Sequence, residues 1–368
     1  MKRSEPAYIE IYNELYLKII NGEYKDGDRL PTEMELCEKY YVSRITVQRA
    51  LGLLVDKGNL LRIGGKGSFV KTTAQAADLS CKSQIGVIVS GISPSYGMEM
   101  LKSLENHCAA AGYNMVWRNS RYDRALEESI LLDFANNKEI KGVILQPVHD
   151  ECYNSAVLDL SLKKYPLVLV DRNLEGISLP FAGTENASIT EKVVSYLFSM
   201  GHTNVGFISS NPQNTTTVRD RYAAFNAAFS KQSIVNSYKN HYFDVISVTQ
   251  GATAANLEKD IDGIEKHILS NPHLTCLFAA EYAICCLVKT VLNRLGKRCP
   301  DDISLVTFDN ISDPFITHHT SYIHQNEDEM AKRAVELLCK RIAGQALDTK
   351  YYISADFIIN NSVKRIKK

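Results

Sequence analysis

"VSRITVQRALGLLVDKGNLLRIGGKGSFV", Val42 to Val70, decides how the first part of this chain folds. Val47, Ala50, Leu51 and Leu54 recur at helical spacing, which predicts a helix that buries that stripe. The other face carries Ile45, Gln48, Arg49 and Gly52, with Ser43 and Arg44 at the helix start. Lys57-Gly58-Asn59 ends the helix, and "LLRI-GGKG-SFV" reads as two short β segments about a glycine turn.

Upstream, Ile9, Tyr12, Leu15, Tyr16 and Ile19 mark a first helix that stops at Asn21-Gly22. Pro31 and Thr32 open a second helix, with Glu35 placed as the capping-box partner of Thr32 and Leu36 and Tyr40 continuing it. "YYVS" then turns tightly into the third. Helix, helix-turn-helix and β-wing together make the winged helix-turn-helix layout.

The 368 residues carry 42 basic and 42 acidic groups, and this global balance hides a local pattern. Residues 1–43 hold 6 basic and 9 acidic groups, whereas residues 44–71 hold 6 basic groups against Asp56 alone. Charge of one sign on one helix and hairpin is the footprint of a polyanion site, although on charge alone a solvated basic face does as well. The chemistry of the helix narrows the choice. A recognition helix buries one face and offers hydrogen-bonding groups to the major groove. Arg44 can fork onto a guanine edge or clamp phosphate, and Thr46 and Gln48 are short enough to approach bases or backbone. Gly64, Gly65 and Gly67 let the wing backbone come close to a duplex, with Lys66 available to phosphate or the minor groove.

"DGDRLPTEMELCEKYYVSRITVQRALGLLVDKGNLLRIGGKGSFV" resembles the DNA-binding domain of the GntR family of bacterial transcription regulators. The L-P-T-E, V-S-R-x-T-V and G-x-G-x-F-V elements stand in order over about residues 6–71. The resemblance implies that Glu33, Ser43, Arg44, Thr46, Gln48, Arg49, Gly65, Lys66 and Gly67 contact or support operator DNA. Met34 and Gln48 stand where arginines are common, and the loss of two cations weakens phosphate attraction.

"TTAQAADLSCKS", residues 72–83, is small, polar and aperiodic and reads as a linker. Beyond it "QIGVIVS", "YNMVWRNS", "KGVILQPV", "YPLVLVDR", "NVGFISS", "FDVISV", "TCLFAA" and "ISLVTFD" alternate with helical patterns, several ending at Gly112, Gly201, Gly296 or Gly344. That alternation predicts an α/β body of parallel sheets flanked by helices, in two lobes. Ligands of such folds sit beyond the carboxyl ends of the strands. There lie Ser90 to Tyr96, Gln146 to Asp150, Asp171-Arg172, Ser209 to Thr217, Ala280-Glu281, Asp309-Asn310 and His324-Gln325. Carboxylates, amides, arginine and tyrosine in convergence make a polyol site.

"PLVLVDRN", "TENASITEKVVSYLFSMGHTNVGFIS", "RDRYAAF", "CPDDISLVTFDN" and "TSYIHQNEDEMAKRAVELL" resemble the effector domain of the LacI/GalR regulators, over residues 84–368. The resemblance implies a periplasmic-binding-protein-like fold and places Asp171, Arg221, Asp309 and Gln325 at ligand-contacting positions. Ser93 and Tyr96 fall in its first loop, Arg172 follows Asp171, and Trp117 or Phe181 would supply an aromatic wall. Glu281, in "FAAEYA", replaces an Asn-Asp pair common in that family. A GntR-type head on a LacI/GalR-type body is the architecture of the arabinose-repressor subgroup. It implies a homodimeric, sugar-responsive repressor, with double-stranded operator DNA as partner and L-arabinose or a related pentose as effector.

Other chemistries find less support. Nine scattered cysteines without a C-x-x-C pair suit reduced thiols in a cytoplasmic protein. Cys285-Cys286 lies in an apolar helical stretch, which fits buried packing better than nucleophilic chemistry. The opening residues lack a signal-peptide core, and the longest apolar run is too short to span a bilayer. His318, His319 and His324 lack the spacing of a metal site, and "GGKGS" does not open a helix as a phosphate loop does. No cofactor and no enzymatic activity are expected. The competing view is a sugar-binding or sugar-processing protein in which the head is only a tether.

Overall fold

The computed structural model describes residues 6–20, 23–64, 67–71, 83–148, 154–174, 176–311, 319–346 and 348–366. Asn21-Gly22, Gly65, Lys66, residues 72–82, Asp150 and His318 lie outside them. The chain divides into two compact units, residues 1–82 and 83–368.

Why the first unit folds is visible in its caps and its apolar stripe. Helices α1 (Ala7–Ile20), α2 (Glu33–Tyr40) and α3 (Arg44–Asp56) precede the antiparallel strands β1 (Leu60–Ile63) and β2 (Gly67–Val70). Thr32 and Glu35 close a reciprocal capping box on α2, satisfying two backbone donors that would otherwise lack partners. Tyr41 takes a left-handed conformation, φ 52°, to end α2, and Ser43 caps α3 by accepting from the Thr46 amide. Val47, Ala50, Leu51 and Leu54 of α3 are fully buried, packed with Leu15, Leu36 and Leu60. Ile45, by contrast, is 78% exposed on the opposite face.

The second unit contains two sheets. In chain order it runs β3 (Gln84–Val89), α4 (Met98–Ala110), β4 (Asn114–Asn119), α5 (Arg124–Asn136), β5 (Ile140–Leu145), α6 (Ser155–Leu162), β6 (Leu167–Val170) and β7 (Phe181–Thr184). Then follow α7 (Asn186–Ser199), β8 (Val205–Ile208), α8 (Thr216–Lys231), α9 (Ser247–Gln250), α10 (Ala254–Ser270), β9 (Cys276–Ala279) and α11 (Tyr282–Arg294). The unit ends with β10 (Ser304–Phe308), β11 (Ser321–His324), α12 (Glu327–Ile342), β12 (Lys350–Ile353) and β13 (Asp356–Ile358).

The first lobe is a parallel sheet in the order β12-β7-β6-β5-β3-β4; the second has the order β13-β11-β10-β9-β8, with only β13 antiparallel. β6 and β9 are buried along their whole length. This is why they read as unbroken apolar runs rather than alternating ones. The chain changes lobe after Thr184, after Gln325 and between β12 and β13, so α12 packs its Met330, Ala334 and Leu338 on the first lobe. Gly112, Gly201, Gly296 and Gly344 all have positive φ at helix ends.

One expected strand is absent. "FDVISV" forms no strand; a single bridge joins the preceding Tyr242 to Ile208, and the stretch turns into the short helix α9. Buried Asp260 on α10 accepts from the amides of Ile246 and Ser247, at 2.9 and 2.8 Å, and so captures the backbone donors a strand would have used.

Candidate functional sites

In the head, Glu33 at the start of α2 gathers three side chains. It accepts from Arg44 Nε at 2.8 Å, from Gln48 Nε2 at 2.9 Å and from Arg62 Nη2, on β1, at 3.3 Å. The Arg44 bond foremost, then Gln48 and the charges of Arg44 and Arg62, hold the Glu33 carboxyl below its ordinary range. Arg44 itself stays exposed at the N-terminus of α3, with its guanidinium held at Nε by Glu33. Thr46 hydrogen-bonds with the Ser43 hydroxyl at 2.9 Å. Arg49 lies over the Tyr8 ring, 4.2 Å from its centre, which ties it to α1. Gly67 has φ 116° and opens β2 beside the Arg29 side chain. Among the described candidates, Glu33, Arg44 and Gln48 thus form one cluster, joined by Arg62, whose place in the wing gives no local sign of this role.

In the second unit, a cavity of about 500 Å³ lies between the lobes. Ser93, Tyr96, Asp171, Arg172, Arg221, Glu281, Asp309 and Gln325 all line it. Their meeting follows from topology: each stands at or just beyond a strand end, or on the first turns of the helix that follows. Asp171 directly follows β6 and Asp309 directly follows β10, at equivalent places in the two lobes. Both adopt left-handed backbones, φ 65° and 62°, a cost that non-glycine residues bear where surrounding structure enforces it.

Hydrogen bonds tie this constellation together. Tyr96 donates its hydroxyl to Asp171 Oδ1 at 2.7 Å, and Gln146 donates to Asp171 Oδ2 at 2.9 Å. Arg172 donates to the Ser90 hydroxyl and the Pro147 carbonyl, at 2.8 and 2.9 Å. Arg221 donates to Asn186 and to the Ala280 carbonyl, with its guanidinium 3.6 Å from the centre of the Phe308 ring. Gln325 donates to Asp309 at 2.9 Å and accepts from the Thr184 hydroxyl at 2.6 Å. Glu327, in the first turn of α12, accepts from the amides of Gly97 and Met100 at 2.9 and 2.8 Å, anchoring the loop that carries Tyr96.

Burial dominates the electrostatics. It pushes Asp309 up to about 7 against the opposing pull of Arg221 and Gln325, and Glu327 up to about 8. Glu281 is raised as well, with Arg221 and Arg172 pulling the other way. Two arginines facing several carboxylates, amides and hydroxyls suit a neutral ligand rich in hydroxyl groups.

The aromatic wall differs from expectation. Phe181 is buried in the first lobe's core and Trp117 stands on the edge strand β4; neither lines the cavity. Tyr96, Tyr122 and Tyr282 do. Consecutive left-handed residues, Arg121 and Tyr122, turn the Tyr122 ring inward, and a Cβ on Gly91 would lie 2.1 Å from its hydroxyl. Cys285 is buried, but Cys286 is exposed and lines the cavity, so only one of that pair is a packing residue. Gln146 and Thr217 also border the space; their strand-end and helix-start positions were the available signal. His324 borders a neighbouring cavity instead, and no group of residues suited to holding a metal occurs among the described residues.

The chain joins two recognisable domains: residues 7–70 match "Bacterial regulatory proteins, gntR family" and residues 194–362 match "Periplasmic binding protein-like domain". Along nearly its whole length it is similar to the arabinose metabolism transcriptional repressor of Geobacillus stearothermophilus, 24% identical over 99% of this chain and 100% of that one. It is also similar to the ribose operon repressor of Halalkalibacterium halodurans, 24% identical over 76% of this chain and 77% of that protein. In fold it is similar to transcription regulator CcpA of Lactococcus lactis (TM-score 0.66, 16% identity, covering 77% of this chain and 100% of the other). A LacI family transcriptional regulator from Mycobacterium smegmatis gives a TM-score of 0.63 at 15% identity, covering 77% and 99%. Among the described residues no helix is long and apolar enough to cross a membrane.

Proposed function

We propose that the protein is a sugar-responsive transcriptional repressor of carbohydrate-utilisation genes, acting as a cytoplasmic homodimer without enzymatic activity. A neutral sugar, L-arabinose or a related pentose, binds between the lobes. It is held by Asp171, Arg221, Asp309 and Gln325 with Ser93, Tyr96, Arg172 and Glu281 around them. Operator DNA is read by Arg44, Thr46 and Gln48, with Ser43, Arg49 and Gly67 in support and Glu33 orienting the first of them. Gly65 and Lys66 serve the wing.

The observation that carries this reading is the convergence of eight polar residues from both lobes on one cavity, in a chain that also bears a gntR-type head. The names of the similar arabinose and ribose repressors support a sugar effector and a repressing role. Sugar binding shifts the lobes between two arrangements, and the operator prefers one of them. A gel shift on the chain's own promoter, with pentoses and hexoses added, tests the repressor; a turnover assay on the same sugars tests the tether alternative. Operator binding released by a sugar that is not consumed is the expected result. Turnover without promoter binding would overturn it.

A further inference from the structure

The cavity is not uniform. Its polar cluster gathers at the strand ends, but it continues along one face of α11 past Tyr282, Ala283, Cys286, Leu287 and Thr290. Those positions fall on a single helical stripe and extend about 12 Å at roughly 1.5 Å per residue. Val248 of α9, Ala252 of the following loop and Leu257 of α10 line the same cavity. Every one of these residues belongs to the second lobe, whose core holds α10 and α11 together. Moving the lobes relative to each other therefore leaves this extension in place.

Its chemistry also differs from the rest. Carboxylates, arginines and amides are confined to the strand-end cluster, whereas the extension offers aliphatic carbon, a tyrosine ring and a thiol, with hydroxyls only at Ser247, Tyr282 and Thr290. A second sugar ring there would have few partners for its hydroxyls and would forfeit hydrogen bonds to water. An aromatic or alkyl group would lose apolar surface to water instead, which is favourable. The whole cavity, about 500 Å³, falls in the ~300–1,000 Å³ range of sites for drug-sized ligands.

We propose that this extension is an apolar annex that receives the aglycone of a glycoside, so that the effector class includes aryl or alkyl glycosides of the sugar held at the strand ends. The assignment rests on the sugar-binding reading above and adds the second half of the ligand.

Isothermal titration of the full-length protein with L-arabinose, D-xylose and D-galactose, each free and as its 4-nitrophenyl glycoside, tests the annex. At least one glycoside is expected to bind ten-fold or more tighter than its free sugar. In Ala283→Leu, which fills the annex, that ratio falls to about one, and circular dichroism checks that the variant is folded. Free sugars that bind as tightly as their glycosides, or an unchanged ratio in folded Ala283→Leu, would overturn the annex and leave the sugar site standing. Binding of neither form at millimolar concentration would overturn both.

Discussion

Gln325 joins Asp309 to Thr184: its amide donates to the carboxylate at 2.9 Å, and its carbonyl accepts the threonine hydroxyl at 2.6 Å. Asp309 belongs to the second lobe and Thr184 to the first, and both Thr184 and Gln325 stand where the chain changes lobe. A ligand that engages Asp309 thus acts on a residue bonded directly to the hinge.

Gln325→Leu removes both bonds at nearly constant volume, so buried Asp309 loses this donor and the Thr184 hydroxyl keeps only the Met330 sulfur, 3.6 Å away. Each such loss costs about 1–3 kcal/mol. The expected outcome in thermal denaturation is a lower melting temperature, with sugar affinity reduced about ten-fold or more by calorimetry. Unchanged affinity would show that the bridge is only structural.

The raised carboxyls make stability depend on pH. Burial holds Asp309 at about 7 and Glu327 at about 8, so both keep a proton in the folded chain where the unfolded chain has lost it. Their contribution is complete below about pH 4, the unfolded carboxyl range, and is lost as pH rises through 7 and 8. Melting temperatures of the wild type should fall more steeply between pH 5.5 and 8.5 than those of Asp309→Asn or Glu327→Gln. Parallel slopes would contradict this.

In the head, Arg44→Ala is expected to weaken operator binding strongly. If Arg44 meets phosphate, the variant reduces the slope of log affinity against log salt by about 0.9. Gln48→Ala should change base preference more than salt dependence. Competition assays with permuted operators separate the two, and a uniform loss across sequences for Gln48→Ala would assign it to backbone positioning.

Glu33→Gln loosens Arg44 and Arg62 and removes one negative charge from the basic face. Affinity for random-sequence DNA should rise while the operator-to-random ratio falls, measured by fluorescence polarisation at fixed salt. A rise in both affinity and ratio would mean that Glu33 does not orient Arg44.

Much of this architecture was legible in the sequence because it is set locally. The buried stripe of α3, the Thr32–Glu35 box and the apolar runs of β6 and β9 each follow from spacing or capping chemistry within a few residues. Strand ends located the polar cluster, since parallel topology fixes where they meet. What escaped depends on distant partners. "FDVISV" has strand composition, yet Asp260 takes its amides. Phe181 reads as a wall residue until the first lobe's core claims it. Tyr122 and Tyr282 reach the cavity through a left-handed turn and a helix start, neither of which alternation reveals. Arg62 joins Glu33 only once the wing has folded back beside α2.

Linkage between the two ligands tests the central claim most directly. Sugar affinity is measured by equilibrium titration of the free protein and of the protein saturated with operator DNA, at the same salt. Coupled sites predict weaker sugar binding on the operator, by the same factor by which saturating sugar weakens operator binding. Sugar affinity that is identical with and without operator would contradict an inducer-controlled repressor.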